Sequence, residues 1–381
     1  MRTTKRTTLS CSRLENELRQ DILSNRLVGG DALPTENELA ESYGISRNSV
    51  RRALADLAAE GLVNKVHGSG TFVTPVSQRL KLNASECQSR QILFLSLSSA
   101  MSEYTFRAGT TYEPIFAGLN GVLQKHGYNL LLTQVGIDWV PPACLLEGNI
   151  SGIIFHGPVD EEFWRKYIRP YPNIGIQYPA VEIDSDFVAI DNYAFSKLCL
   201  NHLAEKGHRR IAFLSDEIEN QPSKERFLGY LRGMQELGLP VDEALHLVWQ
   251  RPYLNGVLPP HFSPPDYLPR LRPLFETDDP PTAIVCVDDF RAKCAGMALE
   301  KLGLKIPDDV SLTGSYNGLS WRHENYSGIC AVLDEVCREA AALLLEQIND
   351  PAGRCGKTIR IKPRFIPGDS VRDLRARQNK Q

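Results

Sequence analysis

Residues 30–73 read GDALPTENELAESYGISRNSVRRALADLAAEGLVNKVHGSGTFV, and they decide the fold of the first part of the chain. Thr35 precedes Glu38 by three residues, which is the spacing of a capping box, where the two side chains satisfy free backbone N–H groups at a helix start. The pattern predicts a helix that begins at Thr35 and buries Leu39. Gly44 ends this helix, because glycine tolerates the left-handed conformation that follows a last turn.

A second helix follows after a short turn, with Ser46 as its predicted N-cap. Its apolar face is predicted from residues that recur at helical spacing: Val50, Ala53, Leu54, Leu57 and Ala58. Polar and basic residues cluster at its N-terminal, outward side: Arg47, Asn48, Ser49, Arg51 and Arg52. Arginine and asparagine address base edges in the major groove, so the pattern is typical of a recognition helix that reads DNA.

Two short strands are predicted after the second helix, over residues 62–66 and 71–73, joined by His67-Gly68-Ser69-Gly70. Two helices, a short turn and such a hairpin form a winged helix-turn-helix. The alternative is an ordinary helical hairpin whose arginines are simply solvated.

The segment resembles the winged helix of GntR-family transcription regulators. The matching motifs are Leu33-Pro34-Thr35-Glu36, Gly44-Ile45-Ser46-Arg47, Ser49-Val50-Arg51, Glu60-Gly61-Leu62 and Gly68-Ser69-Gly70-Thr71-Phe72-Val73. The resemblance implies a set of DNA-binding residues: Thr35, Glu36, Asn37, Ser46, Arg47, Asn48, Ser49, Arg51, His67 and Gly68. Asn37 is a departure, since many family members carry arginine there, and any contact made by that arginine does not transfer with its charge.

The composition bounds the class of protein. The chain has 381 residues, 42% hydrophobic and 23% charged, with a net charge of −3. No apolar run is long enough for a signal peptide or a membrane span, which predicts a cytoplasmic protein. The nine cysteines are scattered without zinc-ligand spacing. They indicate reduced core residues, so neither disulfides, metal nor cofactor is expected.

The body alternates apolar strands with amphipathic helices. Strands are predicted at residues 92–95, 129–133, 153–155, 174–176, 211–214 and 283–286, and helices at 115–126, 193–205 and 227–236. This alternation predicts an α/β fold with parallel sheets flanked by helices. The expected domains are a winged-helix head (1–74), a polar linker (75–90) and a two-lobed body (91–381).

The body resembles the effector domains of LacI/GalR-type regulators, which share a two-lobed periplasmic-binding-protein-like fold. The matches include Gly127-Tyr128-Asn129-Leu130-Leu131-Leu132, Ile190-Asp191-Asn192, Gly207-His208-Arg209-Arg210-Ile211-Ala212, Arg226-Phe227-Leu228-Gly229-Tyr230 and Ile306-Pro307-Asp308-Asp309-Val310-Ser311. A GntR-like head on such a body resembles regulators of the arabinose-repressor type. Gly314-Ser315-Tyr316-Asn317 departs from the family pattern, which has an acidic residue there.

An effector site is predicted beyond the carboxyl ends of the strands, where parallel sheets bind ligands. His156, Gln177 and Asp289 lie at or just past strand ends. The resemblance adds Arg226, as an arginine for sugar hydroxyls, and Trp249, as an aromatic ring that stacks on a sugar. Each has an ordinary alternative: a core histidine, a solvated amide, a surface ion pair or helix cap for Arg226 and Asp289, and a core tryptophan.

The sequence therefore predicts a transcription repressor that binds a near-palindromic DNA operator as a homodimer and is released by a small sugar. One alternative is an activator or corepressor-dependent regulator with a nucleoside-like effector. A more remote one is an α/β enzyme, against which stand the missing GxSxG, P-loop and GxGxxG motifs. No catalytic residue and no membrane partner are predicted.

Overall fold

The computed structural model describes residues 13–22, 26–66, 68–75, 89–97, 112–250, 265–316, 326–330, 332–350 and 356–375. Most of the predicted linker, residues 76–88, lies outside this part of the chain, as do His67 and Asn317.

The head consists of three helices and a two-stranded hairpin. They are α1 (13–22), α2 (Glu36–Tyr43), α3 (Arg47–Ala59), β1 (Val63–Val66) and β2 (Gly70–Val73). β1 and β2 pair antiparallel, from Val63 opposite Val73 to Val66 opposite Gly70. The winged helix-turn-helix prediction is confirmed. One residue was placed wrongly: Ala58 is exposed, because the buried stripe of α3 ends at Leu57.

The head has a core of its own, to which all three helices and both strands contribute. The buried side chains are Leu14, Leu18, Ile22, Leu33, Leu39, Ile45, Val50, Ala53, Leu54, Leu57, Leu62, Val63 and Val73. Their burial supplies the hydrophobic stabilisation that lets such a small unit hold its recognition helix in place.

The body is built from alternating strands and helices. Its strands are β3 (Gln91–Leu97), β4 (Asn129–Val135), β5 (Gly152–His156), β6 (Asn173–Ile176), β7 (Asp186–Ile190), β8 (Ile211–Ser215), β9 (His246–Val248), β10 (Ala283–Cys286), β11 (Ser311–Tyr316), β12 (Ser327–Cys330), β13 (Thr358–Ile361) and β14 (Arg364–Ile366). Its α-helices are α4 (Tyr112–Leu123), α5 (Ala143–Glu147), α6 (Glu161–Phe163), α7 (Asn192–Glu205), α8 (Gln221–Glu236), α9 (Leu268–Phe275), α10 (Asp289–Lys301) and α11 (Leu333–Asn349). Short 3₁₀ turns cover Gln124–His126 and Glu243–Leu245, and a π turn covers Trp164–Ile168.

The body strands form two sheets, one in each lobe. Among the described residues, the first-lobe sheet has the order β13-β7-β6-β5-β3-β4, and every neighbouring pair is parallel. The second-lobe sheet has the order β14-β12-β11-β10-β8-β9, parallel except for the β12–β14 pair. The predicted parallel, two-lobed α/β architecture is confirmed.

The chain passes between the lobes more than once. It leaves β7 for α7 at residues 190–192, returns from β12 to α11 at 330–333, and leaves β13 for β14 at 361–364. α11 packs on the first sheet, in one core with α4. In the second lobe α7 and α8 lie close together at Gly229, where a Cβ would be only 2.4 Å from the Tyr193 carbonyl oxygen. Only glycine, which has no side chain, allows this approach.

One predicted helix differs from the structure in extent. α8 begins at Gln221, six residues before the predicted start, because its first turns carry polar residues that give no apolar periodicity. No helix among the described residues has the length and apolar character needed to cross a membrane.

Candidate functional site

The predicted DNA-binding residues lie on α2, α3 and the wing, and we call this part of the surface the reading side of the head. Two helix caps fix the helices that carry it. The Thr35 side chain accepts from the Glu38 backbone N–H at 3.3 Å, and the Glu38 carboxylate accepts from the Thr35 N–H at 2.7 Å, so the predicted capping box is present. The Ser46 hydroxyl accepts from the Ser49 N–H at 3.2 Å. Both caps set the start of a helix, and the second one orients the outward face of α3.

The Glu36 carboxylate contacts three cationic side chains of the reading side. Its carboxylate accepts from Arg51 Nε at 2.7 Å and from Lys65 Nζ at 2.8 Å, and Arg47 Nη2 lies 4.0 Å away. The hydrogen bonds from Lys65 and Arg51 lower the pKa of Glu36. The side chains of Arg47 and Arg51 remain more than half exposed, so one carboxylate links the recognition helix to the wing while the arginines stay accessible. Sequence reasoning did not find Lys65, a polar residue on a short strand.

The other predicted DNA-binding residues that the structure describes are exposed or half-buried. Asn37 and Asn48 are exposed, and Gly68 is exposed with a φ of +79°, a conformation that suits glycine in the turn of the wing. Ser49 is half-buried, and its hydroxyl lies 2.9 Å from that of Ser46. His67 lies outside the described residues.

We call the region where the carboxyl ends of the strands of the two lobes face each other the cleft. On its first-lobe side, at the ends of β3 and β5, lies a network of hydroxyl groups and rings. His156 ends β5, and its Nδ1 lies 3.1 Å from the hydroxyl of Tyr112, which is 3.1 Å from Ser96 Oγ. Burial lowers the pKa of His156 to about 4, so its imidazole is neutral at physiological pH. Sequence reasoning found His156 but missed Tyr112 and Ser96.

Gln177 follows β6 directly in a strained conformation. Its φ is +68°, unusual for a residue with a side chain, and 8% of its surface is exposed. Its Oε1 accepts from the Ile190 N–H at 3.3 Å, whereas its buried Nε2 has no hydrogen-bond partner among the described residues. A buried donor without a partner is costly unless a ligand or water accepts from it.

Tyr178 joins the two lobes and was not found from the sequence, although it is adjacent to Gln177. Its ring packs edge-on against His156 at 5.1 Å, and its hydroxyl accepts from Asn220 Nδ2 at 3.4 Å, across the cleft from the second lobe. Burial raises the pKa of Tyr178, so the hydroxyl keeps its proton.

Arg226 lies on α8 with its guanidinium held in a defined orientation. Nε donates to Asn192 Oδ1 at 2.9 Å, Nη1 donates to the Val287 carbonyl, and the group lies 4.1 Å from the centre of the Phe195 ring. Burial lowers the pKa of Arg226, whereas the nearby carboxylates of Asp288 and Asp289 raise it, and Tyr178 of the first lobe lies within range of the same guanidinium. Residues of both lobes therefore lie within electrostatic range of this arginine.

Asp289 is the first residue of α10 and faces the same region. Its carboxylate accepts from its neighbour's N–H, that of Phe290, at 3.0 Å, and Ser315 Oγ lies 3.4 Å away. Burial and then the charge of Asp288 raise the pKa of Asp289 to about 6. Ser315 belongs to the segment that departs from the family pattern, and it serves here as a donor to Asp289.

Arg291 forms a buried ionic cluster next to Asp289 that sequence reasoning missed. Its guanidinium lies 2.7 Å from Asp216, 2.6 Å from Glu217 and 2.8 Å from Asp288. Asp216 and Glu217 follow β8, and Asp288 follows β10. The cluster therefore holds together the ends of these two strands, which lie on the second-lobe side of the cleft. Within the described residues no group of histidine, cysteine and carboxylate side chains has the arrangement of a metal site.

Trp249 follows β9 and packs within its own lobe. Its ring contacts Tyr267 edge-on at 5.5 Å, and the Arg270 guanidinium lies 4.4 Å from its centre. Trp249 is partly buried against the second-lobe core, and its role in stacking on a sugar stays a prediction. His156, Gln177, Arg226 and Asp289 are linked through Tyr178 and the charges around Arg226, whereas no described contact links Trp249 to them.

Comparison with known proteins identifies both parts of the chain. Residues 11–73 match the family described as bacterial regulatory proteins, gntR family. The head is therefore a GntR-type helix-turn-helix domain. Residues 200–371 match the periplasmic binding protein-like domain. The chain is thus a transcription regulator with a GntR head and a periplasmic-binding-protein-like body, rather than an enzyme.

Relatives with similar overall length are named as repressors. The GntR-headed chain is 27% identical to an arabinose metabolism transcriptional repressor of Geobacillus stearothermophilus, over 95% of this chain and 97% of that protein. It is 22% identical to the transcriptional repressor PurR of Mannheimia succiniciproducens, over 90% of this chain and 100% of that protein.

Solved structures show the same fold. A LacI family transcriptional regulator from Enterococcus faecium with bound ribose matches with a TM-score of 0.60 and 21% identity, over 74% of this chain and 99% of that one. A complex of the transcriptional regulator CelR with cellobiose matches with a TM-score of 0.61 and 19% identity, over 89% of this chain and 100% of that one.

Proposed function

We propose that this regulator is a cytoplasmic repressor of carbohydrate-utilisation genes that leaves its operator when a small sugar binds between the lobes of its body. The observation that carries the proposal is that an oriented guanidinium on Arg226 and a carboxylate on Asp289 lie within electrostatic range of each other in the second lobe, together with the first-lobe residue Tyr178. Gln177, whose buried Nε2 has no hydrogen-bond partner among the described residues, directly precedes Tyr178. Guanidinium and carboxylate groups each bind adjacent hydroxyls with two hydrogen bonds, and Tyr178 provides an aromatic ring for the C–H face of a sugar.

DNA is bound by the reading side of the head. Arg47 and Arg51 contact base edges from α3, and Lys65 and the wing with His67 and Gly68 contact the backbone and the neighbouring groove. The remaining residues of the set, which position the helix or bind phosphate, are Thr35, Glu36, Asn37, Ser46, Asn48 and Ser49. The chain divides into a head (1–74), a linker (75–90) and a body (91–381) that also dimerises.

A homodimer places two recognition helices about one DNA turn apart, which requires a near-palindromic operator. Sugar binding favours a closed arrangement of the lobes in which the spacing of the heads no longer fits the operator. A coupling free energy of roughly 1–3 kcal/mol changes operator affinity about 5-fold to 150-fold. The relatives named as arabinose repressors, and the ribose and cellobiose complexes, support a sugar as the effector.

The pH dependence of sugar binding tests the role of Asp289. We expect the affinity of the best-binding sugar among L-arabinose, D-ribose and cellobiose to fall about tenfold for each pH unit below 6, since the carboxylate must be ionised to accept from two hydroxyls. His156 stays neutral above its pKa of about 4 and adds no slope in this range. Calorimetric titration between pH 7.5 and 5 measures the effect.

The matched variants are Asp289→Asn and, as a control, Asp278→Asn, which changes an exposed aspartate of the same lobe. Asp289→Asn should bind weakly with no pH slope, whereas the control should follow the wild type. Without sugar, the pH dependence of folding stability has the opposite sign to that of sugar binding. The folded-state pKa of Asp289 exceeds its ordinary 3.8, so the contribution of this carboxyl group to the free energy of unfolding is complete below pH 4 and is lost as the pH rises through 6. Normal binding by Asp289→Asn at pH 7.5 would remove this residue from the site.

A further inference from the structure

An ion pair joins the two lobes beside the point where the chain crosses between them. Arg360 lies on β13 of the first-lobe sheet, and Glu225 lies on α8 of the second lobe. Arg360 Nη1 and Nη2 donate to the two carboxylate oxygens of Glu225 at 2.8 and 2.9 Å, a bidentate geometry. The Glu225 side chain is 3% exposed and that of Arg360 is 35% exposed, so the pair is shielded from solvent mainly on the second-lobe side.

The pair is connected to Arg226 through one amide. Asn192 Nδ2 donates to Glu225 Oε2 at 3.4 Å, and Asn192 Oδ1 accepts from Arg226 Nε at 2.9 Å. Asn192 is 1% exposed and is the first residue of α7. Because the amide nitrogen faces the carboxylate, the amide oxygen must face the guanidinium, and the orientation of Arg226 depends on the charge of Glu225.

The same region contains backbone hydrogen bonds between the segments that join the lobes. The Asp191 N–H donates to the Ile361 carbonyl at 2.9 Å, and the Phe187 N–H donates to the Lys357 carbonyl at 2.8 Å. β13 is therefore fixed to the end of β7, immediately before the crossover into α7. A rotation of one lobe against the other changes the position of Glu225 relative to Arg360. Because Asn192 contacts both Glu225 and Arg226, this change also alters the positions of Asn192 and of the Arg226 guanidinium.

We propose that Arg360 and Glu225 are positioning residues that tie the lobes together and, through Asn192, hold the Arg226 guanidinium in the orientation that binds the effector. This inference rests on the proposed function, in which Arg226 contacts a sugar. Sugar binding at Arg226 and the relative position of the lobes are then coupled by a continuous set of charged and hydrogen-bonded groups, so that each constrains the other.

The test uses the full-length protein and six variants, two of which carry Arg226→Met. Arg360→Met removes the charge but keeps an apolar stem, and Arg360→Lys keeps the charge but loses the bidentate geometry. Glu225→Gln combined with Arg360→Met removes both charges, which avoids leaving a buried carboxylate without its partner if the single variant folds poorly. The control is Arg232→Met, which removes an exposed ion pair with Glu236 on the same helix.

Sugar affinity is measured by calorimetry with the best-binding sugar among L-arabinose, D-ribose and cellobiose. We expect Arg360→Met and the double variant to weaken binding about 5-fold to 150-fold, Arg360→Lys to weaken it less, and Arg232→Met to leave it unchanged. In combination with Arg226→Met, the Arg360→Met change should cause no further loss, because a positioning residue acts only through the residue that it positions.

Amide hydrogen exchange without sugar provides a readout that needs no ligand. Peptides covering residues 186–192 and 356–361 should exchange faster in Arg360→Met and in the double variant than in Arg232→Met. Exchange equal to that of Arg232→Met would overturn the tie between the lobes. A full additional loss on the Arg226→Met background would overturn positioning through Arg226. If Arg226→Met itself binds sugar normally, the proposed function fails, which is a separate outcome.

Discussion

Replacing Arg51 with alanine is expected to abolish specific DNA binding while sugar binding by the body stays unchanged. Arg51 lies on the outward side of α3, with 55% of its side chain exposed, and Glu36 holds its Nε at 2.7 Å. This contact orients the guanidinium and leaves its other donors to reach a base. A bidentate arginine–guanine pair is worth about 1–3 kcal/mol. Two copies in a dimer correspond to a loss of roughly 30-fold to 10⁴-fold.

Fluorescence anisotropy with a duplex selected by the wild-type protein measures this loss, and calorimetry with the best-binding sugar checks the body. The control is Arg13→Ala, which removes an exposed ion pair with Glu17 on α1. A combined loss of DNA binding and sugar binding would mean that Arg51 supports folding. Wild-type DNA affinity in Arg51→Ala would contradict its role in recognition.

The second large effect is expected from Arg291→Met, which should destabilise the folded protein by about 3–5 kcal/mol. Arg291 is 9% exposed and pairs with Asp216, which is fully buried, as well as with Glu217 and Asp288. Burial lowers the pKa of the Arg291 guanidinium, but the three carboxylates outweigh burial and raise that pKa. The methionine variant removes this cation from beside the fully buried Asp216, and the cost comes from the buried carboxylate that loses it.

Urea unfolding followed by circular dichroism measures the change in the free energy of unfolding. Arg272→Met, which removes an exposed i,i+4 pair with Glu276, is the matched control and should cost no more than about 0.5 kcal/mol. Adding Asp216→Asn to Arg291→Met should recover part of the loss, since it replaces the buried carboxylate that has lost the guanidinium with a neutral amide. A loss below 1 kcal/mol in Arg291→Met would show that the cluster is hydrated.

The head could be predicted from the sequence because its signals are local. The Thr35–Glu38 capping box, the Ser46 cap and the glycine that ends α2 each depend on neighbours within a few residues. Helical periodicity then defined the buried stripe. Only its end was misjudged, because alanine, as at Ala58, is as common on exposed helix faces as on buried ones.

The cleft was predicted in part, because strand ends can be recognised whereas contacts between distant segments cannot. His156, Gln177 and Asp289 follow apolar runs, so the rule for parallel sheets found them. The bond between Arg360 and Glu225 joins residues 135 positions apart and has no sequence signature. The same holds for Arg291 and Asp216, which are 75 positions apart. Trp249 was included by spacing alone, and its neighbours Tyr267 and Arg270 became visible only in three dimensions.

The regulation by sugar is decided by the affinity of the full-length protein for a duplex that it selects from random-sequence DNA, measured with and without sugar. We expect the selected duplex to be near-palindromic, and we expect saturating L-arabinose, D-ribose or cellobiose to lower the affinity about 5-fold to 150-fold. An increase in affinity would make the sugar a corepressor. Unchanged affinity with all three sugars, or selection of DNA without sequence preference, would contradict the account.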